Sequence, residues 1–404
     1  MNPPECVATY RDRVRNLRNQ NWGLLRKAFQ SGDRTKLRRA RHNYSRNEAN
    51  RAAYLYEAGL RFPNVQEWET DVAFFRPEEP LRHVIDWWRQ QKARGGFRYV
   101  CDLSPYMKAA HLMNADLIRA QMDVPCFIYN VKRTDYRADG TGRNALVCKL
   151  LNQLRSGFTY YRIFDVRDCF NSVGPEAIAT LPLSRRIYEN TLELKNLSLR
   201  HDIIREQRNI ADTATYSIIT DAGGESGPDG LLQGSPCSNV ALAYLLQDLP
   251  QPSPEDGCIL LFGDDLIALS RTPTIANRVD QTVTEFFERP DLGPLPLHRR
   301  AAGYQGHFEY LGYEFIFSER TQDWYVGLSA RNSEKLARAR NEEALKHWPM
   351  YGSGVDFHIR RRMMTSLSGH QALSDVEAVL ETLVYGGWDN VELAARYLNR
   401  GRKR

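Results

Sequence analysis

The sequence contains no run of eighteen apolar residues, so a membrane-spanning helix is not expected. Its opening, Met1-Asn2-Pro3-Pro4-Glu5, lacks a basic segment followed by an apolar one, and no secretory leader is expected. Cysteines are few and scattered: Cys6, Cys101, Cys126, Cys148, Cys169, Cys237 and Cys258 form no C-x-x-C pair. That argues against a zinc knuckle or a disulfide framework and suits a reducing cytoplasm. No internal repeat is found. Acidic excess is also absent, since 55 Lys and Arg stand against 49 Asp and Glu, a net charge of +6. Most of the basic residues are arginine, whose planar fork matches phosphate oxygens. Nucleic acid is therefore a reasonable partner, although an Arg-rich solvated surface has the same composition.

What is present is ordered along the chain. Twelve Arg and Lys residues from Arg11 to Arg46 crowd a helical stretch, residues 1–60, in which Leu17, Leu24, Leu25 and Phe29 recur at roughly helical spacing. A helix is predicted over 79–93. Gly95-Gly96 then breaks the pattern, and Phe97 to Cys101 reads as a strand. Helices are predicted over 106–121 and Asn144 to Ser156, with a loop over Arg133–Arg143 between them. Tyr160-Tyr161-Arg162-Ile163-Phe164-Asp165-Val166 reads as a strand ending on a carboxylate. A Gly-rich loop at 222–230 precedes Gln233-Gly234 and a helix over Val240 to Leu246. Cys258 to Phe262 and Leu266 to Leu269 read as two strands joined by an acidic turn, a β-hairpin by the Gly-Asp rule. A helix follows at 275–289. Phe308 to Phe317 reads as a strand that Trp324 to Gly327 can pair with, and 328–404 reads as helical and basic.

Gly263-Asp264-Asp265 places two adjacent carboxylates at a turn between apolar strands, which is costly unless something neutralises them. Carboxylates are hard oxygen ligands suited to Mg²⁺. A lone Gly-Asp-Asp is weak evidence, but Asp165 closes a second strand about a hundred residues earlier. If both strands lie in one sheet, Asp165 and Asp264 can face each other and share two ions, the arrangement that clamps both oxygens of an in-line phosphoryl transfer.

Three segments in order then resemble the palm motifs of reverse transcriptases. Asp165-Val166-Arg167-Asp168-Cys169-Phe170 resembles motif A, Gln233-Gly234-Ser235-Pro236-Cys237-Ser238 resembles motif B, and Phe262-Gly263-Asp264-Asp265 resembles motif C. Phe308-Glu309-Tyr310-Leu311-Gly312-Tyr313 looks like the primer-grip hairpin of motif E. Upstream, Gly96 to Val100 with Pro105 and Lys108 is similar to the family's fingers strand, and Gly140 to Leu146 to its glycine-arginine segment. The resemblance spans roughly residues 90 to 335.

This resemblance implies an α+β right-hand polymerase: a basic extension at 1–60, fingers at 61–157, an antiparallel, RRM-like palm at 158–327, and a helical thumb with a basic tail at 328–404. It implies an RNA-directed DNA polymerase using two Mg²⁺ ions, or Mn²⁺, with dNTPs, a template RNA and a DNA product. Asp165, Asp264 and Asp265 are implied as the catalytic and metal-binding carboxylates, with Val166 in the metal set. For the nucleotide it implies Phe170 as a steric gate against a 2′-hydroxyl, together with Arg98, Gln233, Gly234, Arg167 and Asp168; Lys92 and Arg94 are alternates to Arg98. Arg143, Pro236, Tyr310, Leu311 and Gly312 are implied for template or primer. One departure stands out. The family's motif D lysine is missing from Leu295 to Ala302, leaving His298 as a candidate general acid and Arg299 or Arg300 as sources of charge.

An RNA-dependent RNA polymerase shares Gly-Asp-Asp, but that group has an aspartate where Phe170 stands and lacks Gln-Gly in motif B. A catalytically idle nucleic-acid-binding protein on the same scaffold is the alternative of another class. With no RNase H, protease or integrase segment recognisable, the sequence resembles the bacterial stand-alone reverse transcriptases, which include retron, group II intron-like and defence-associated enzymes. A cytoplasmic antiviral enzyme copying a noncoding RNA is the role this implies, with homo-oligomerisation, an accessory protein and the priming mode left open.

Overall fold

The computed structural model describes residues 6–92, 97–131, 141–209, 227–293 and 295–335. Arg94, most of the loop over Arg133–Arg143, most of 222–230 and the predicted thumb beyond 335 lie outside the described residues. Helices and mainly antiparallel sheets alternate, and the chain divides into two units. Among the described residues no helix is long and apolar enough to cross a membrane.

The first unit comprises Met1–Pro125, Val166–Leu249 and Glu285–Leu297. It opens with the helical stretch the sequence predicts, as α1 (Val7–Gln30), α2 (Arg34–Arg46) and α3 (Glu48–Glu57), and continues with α4 (Val65–Phe74), which the sequence reading does not anticipate. Side-chain caps start three of them. Asp33 accepts the N–H groups of Thr35 and Lys36, Asn47 that of Asn50, and Asn64 that of Glu67, satisfying donors that a first turn leaves free. The buried residues of α1 are Tyr10, Val14, Leu25, Arg26 and Ala28, so of the predicted series Leu17, Leu24, Leu25 and Phe29 only Leu25 is among them. Leu25 is 1% exposed but Leu24 is 63% exposed, because a helix turns about 100° per residue and Leu24 falls outside the buried face. Trp68 is fully buried; its Nε1–H donates to the Ala52 carbonyl at 3.1 Å, and its ring stacks on Phe62. Two arginines of the basic run point inward rather than to solvent. Arg26 donates to the Met122 carbonyl at 2.9 Å and pairs with Asp123, and Arg18 pairs with Glu57.

The helix predicted over 79–93 is instead a strand, β1 (Val84–Gln91). It pairs antiparallel with β2 (Phe97–Asp102) and parallel with β4 (Ser198–His201). Ile85 and Trp87 are buried while Val84 is exposed, the alternation of a half-buried strand. The buried carboxylate of Glu206 accepts from the backbone N–H and the guanidinium of Arg89, tying β1 to α10 (Ile203–Asn209). Helix α5 (Pro105–Arg119) begins at the Ser104 cap with Pro105 in its first turn, and α11 (Ser238–Leu245) packs on it. The short helices α7 (Cys169–Ser172), α8 (Pro175–Ala179) and α9 (Arg185–Thr191) also belong to this unit.

The second unit comprises Cys126–Asp165, Pro250–Thr284 and the chain from His298 onward. Strands β3 (Tyr160–Val166), β5 (Gly257–Phe262), β6 (Asp265–Ser270) and β7 (Leu297–Tyr304) form a sheet of order β5-β6-β3-β7. Helix α12 (Pro273–Phe287) lies between β6 and β7 in the chain. The first strand thus sits between the third and the fourth, the strand order of a split β-α-β arrangement. Helix α6 (Arg143–Arg155) places Leu146, Leu150 and Leu154 in the same core as Ile163, Leu260 and Ile267. The segment predicted as one strand from Phe308 to Phe317 is a hairpin: β8 (His307–Tyr310) and β9 (Tyr313–Ser318) flank Leu311-Gly312. Strand β10 (Asp323–Leu328) pairs with β9, as the sequence suggests.

Candidate functional site

In the second unit the three aspartates come from one ladder and one turn. β5 and β6 pair Phe262 with Asp265, leaving Gly263-Asp264 as a two-residue loop. Gly263 has φ +68° and Asp264 is not in the left-handed region, the pattern of a type II′ turn, whose first central position favours glycine. β6 in turn pairs with β3, and the register sets Asp165 opposite Asp265. Opposed residues of an antiparallel pair project to one face with Cβ atoms about 5 Å apart. The sequence reading faces Asp165 with Asp264; the ladder faces it with Asp265, because Asp264 occupies the turn. All three are half-buried.

Positive charge already stands at this cluster. Arg300 Nη1 donates to Asp265 Oδ1 at 2.9 Å, whereas the neighbouring Arg299 pairs with Asp280. His298, on the same strand β7, is exposed. The Tyr310 hydroxyl donates to the Asp265 carbonyl at 3.1 Å, and burial raises its phenol well above the ordinary value. This bond fixes the β8–β9 hairpin to the backbone of the acidic strand. At the hairpin's tip Leu311 has φ +51° and Gly312 φ +81°, both positive as a type I′ turn requires. A leucine there is strained; Leu311 packs against the unit's core, and the Gly312 carbonyl accepts from Asn332 Nδ2 at 2.8 Å. Arg143 lies 5.8 Å from the Tyr313 ring centre, and burial pushes that tyrosine up to about 12.

The donor set suits a hard divalent cation: three carboxylates on adjacent backbone positions, one of them already neutralised by a guanidinium. Among the described residues, however, no three His, Cys, Asp or Glu side chains stand close enough to enclose an ion as placed. The residues therefore fit a metal in chemistry and in backbone position, not as a ready-made cage.

In the first unit the resemblance-derived nucleotide residues gather around another turn. The Leu231 N–H donates to the Phe170 carbonyl at 2.6 Å, and the Cys101 N–H to the Gln233 carbonyl at 2.7 Å. Two backbone bonds thus join α7, strand β2 and the Gln233-Gly234 segment. Gly234 has φ +106°, and a Cβ on it would lie 2.3 Å from the Cys101 oxygen, so only glycine fits. Gln233 and Pro236 are half-buried, as is Phe170. Asp168, at φ +46°, precedes α7 and accepts from Lys92 Nζ at 2.7 Å. Arg98 Nε instead donates to Gln90 Oε1 on the adjacent strand at 2.7 Å. The lysine named as an alternate is the one on the motif A-like turn. Arg167 is exposed, its N–H donating to the Pro296 carbonyl at 3.0 Å. Val166 is buried.

One residue here escaped the sequence reading. His111 of α5 is fully buried, with Nδ1 2.6 Å from Ser235 Oγ. That hydroxyl also accepts the Cys237 N–H at 3.0 Å, and its own hydrogen can be taken by Nδ1 of a neutral imidazole. Burial holds the His111 pKa down to about 4. His111 therefore supports the turn after Gly234 from behind. In sequence it is a lone histidine in an apolar helix, indistinguishable from a core residue.

No protein-family model and no curated protein matches the chain. Among solved structures it is similar to telomerase from Candida albicans in complex with a TWJ fragment of telomeric RNA, at 12% identity and TM-score 0.37, covering 80% of this chain and 62% of that one. It is also similar to apo telomerase from Candida tropicalis, at 13% identity and TM-score 0.38, covering 79% of this chain and 58% of that one. A form of the latter truncated from its C-terminal domain aligns at 14% identity and TM-score 0.34, covering 62% and 56%. The chain thus spans about three fifths of the length of these structures.

Proposed function

We propose that this protein is an RNA-directed DNA polymerase. The observation that carries the reading is the register that sets Asp165 against Asp265 beside the tight Gly263-Asp264 turn. It supports the roles implied by the motif resemblance. Asp165, Asp264 and Asp265 would hold Mg²⁺ ions, whose chemistry is activation of a primer hydroxyl and neutralisation of triphosphate charge. The chain's own residues do the rest. Arg300 adds fixed positive charge at the carboxylates, and Lys92, held on Asp168, is the cation of the motif A-like turn. The ring of Phe170 excludes a sugar bearing a 2′-hydroxyl, and Gln233-Gly234, held by Cys101 and by Ser235 on His111, gives the nucleotide a close backbone surface. The Tyr310-Leu311-Gly312 hairpin positions the primer.

The test is extension of a primed RNA template with Mg²⁺ and dNTPs. Asp264→Asn should lower incorporation at least a hundredfold, and chelation should abolish it. Incorporation of rNTPs but not dNTPs would overturn the reading in favour of an RNA polymerase. Incorporation by neither route would leave a nucleic-acid-binding scaffold. A noncoding-RNA template and a role in antiviral defence rest on the motif resemblance alone. Sequencing of the nucleic acid that co-purifies with the protein tests them, and absence of RNA there would exclude them.

A further inference from the structure

A cavity of about 320 Å³ opens in the first unit between α2, Leu117 of α5 and the segment Pro182–Ile187. Five arginines line it, Arg38, Arg41, Arg46, Arg185 and Arg186, against a single carboxylate, Glu78. Two of the five are matched: Arg46 pairs with Glu78 at 2.8 Å and Arg185 with Glu189 at 2.6 Å. Among the described residues Arg38, Arg41 and Arg186 make no ion pair, and Arg41 reaches only the Pro182 carbonyl, at 3.4 Å. Arg41 is half-buried, and burial without a carboxylate holds its pKa below the ordinary value. Three like charges facing one cavity repel each other unless an anion joins them.

We propose that this pocket binds the phosphodiester backbone of a single-stranded nucleic acid. Guanidinium forks match phosphate oxygens in geometry as well as charge. Apart from the imidazole of His42 the lining holds no aromatic ring, so a base has nothing to stack on, and the contact is to phosphate without sequence readout. The basic surface extends beyond the pocket: Arg34, Arg38 and Arg41 lie on one face of α2, a helix without an acidic residue. A recess of this size admits a phosphate with its flanking sugars, which a flexible strand presents more readily than a duplex. The proposal stands apart from the polymerase reading, since it requires no chemistry at the aspartates.

The experiment uses the full chain and fluorescence anisotropy of a labelled 20-nucleotide RNA, and of DNA of the same sequence, across a salt series. The variant carries Arg38→Gln, Arg41→Gln and Arg186→Gln. Each lost phosphate contact should flatten the plot of log affinity against log salt by about 0.7 for a single strand, so the triple variant should lose about 2 in slope. Affinity should fall at least tenfold at low salt, for RNA and DNA alike. Arg39→Gln, exposed and outside the lining, should leave binding unchanged; the readout is binding without Mg²⁺ or nucleotide, which separates failure here from failure of the polymerase reading. Should the triple variant melt early, single Arg38→Gln and Arg186→Gln, both at exposed positions, carry the test with about 0.7 each. Unchanged slope and affinity would overturn the proposal. So would unchanged nucleic-acid binding combined with lost binding of a decaglutamate peptide, which would make the partner an acidic protein.

Discussion

Acidification should weaken the first unit through one buried imidazole. His111 titrates at 6.5 when unfolded and is held down to about 4 in the fold. Between those values the unfolded chain binds the proton and the folded chain does not, so stability present above pH 6.5 is lost as pH falls toward 4. A shift of 2.5 units is worth about 3 kcal/mol, of which about 2 kcal/mol is gone by pH 5. The cause is structural: a charge at His111 would sit in the core with Ser235 Oγ at 2.6 Å and no carboxylate bonded to it. The assay is urea unfolding followed by tryptophan fluorescence at pH 7.5 and pH 5.0, comparing the native chain with His111→Gln. The amide of glutamine can accept the Ser235 hydroxyl but does not titrate. The native chain should lose about 2 kcal/mol more than the variant between the two pH values. Parallel losses in both would refute the argument, because the acid sensitivity would then arise at other groups.

Further perturbations address the two turns. Gly234→Ala places a Cβ 2.3 Å from the Cys101 oxygen at φ +106°; it should cost about 2 kcal/mol in thermal or urea stability and lower nucleotide incorporation at least tenfold, and a native-like variant would remove the close-approach argument. Phe170→Ala should raise rNTP incorporation relative to dNTP at least tenfold on a primed template, and an unchanged ratio would remove the steric-gate role. Tyr310→Phe deletes the bond to the Asp265 carbonyl and should cost about 1 kcal/mol, measured by urea unfolding; no change would show that the hairpin is held by packing alone.

Some of this was readable from residue order and some was not. The acidic hairpin was legible because Gly-Asp between two apolar runs carries its own turn chemistry. The α5 and α6 helices were legible from their periodicity and from breaks at Ser104-Pro105 and Gly142. Strand β1 was misread as a helix because Arg, Gln and Lys after Trp88 are good helix formers; pairing with β2 and β4 overrides that local preference. The β8–β9 turn is visible in the motif E resemblance but not in the residue pattern, because Leu311 takes a backbone conformation that Asn or Gly would normally announce. At the carboxylates the identity of the residues was legible but their pairing was not, since one residue in or out of the turn decides whether Asp264 or Asp265 faces Asp165. The assignments of Lys92 to Asp168 and of His111 to Ser235 join residues 76 and 124 positions apart, and no local pattern reports such a contact.

The two backbone bonds around Gln233-Gly234 carry a consequence for length. The Leu231–Phe170 bond closes a loop of about sixty residues, and closure entropy grows only with the logarithm of loop length. Doubling that connection would add about 0.6 kcal/mol to the cost of bringing its ends together. Residues inserted into that connection outside α8, α9, β4 and α10 would therefore leave the turn in place at small cost, whereas a single inserted residue between Leu231 and Gly234 would displace the carbonyl that Cys101 meets.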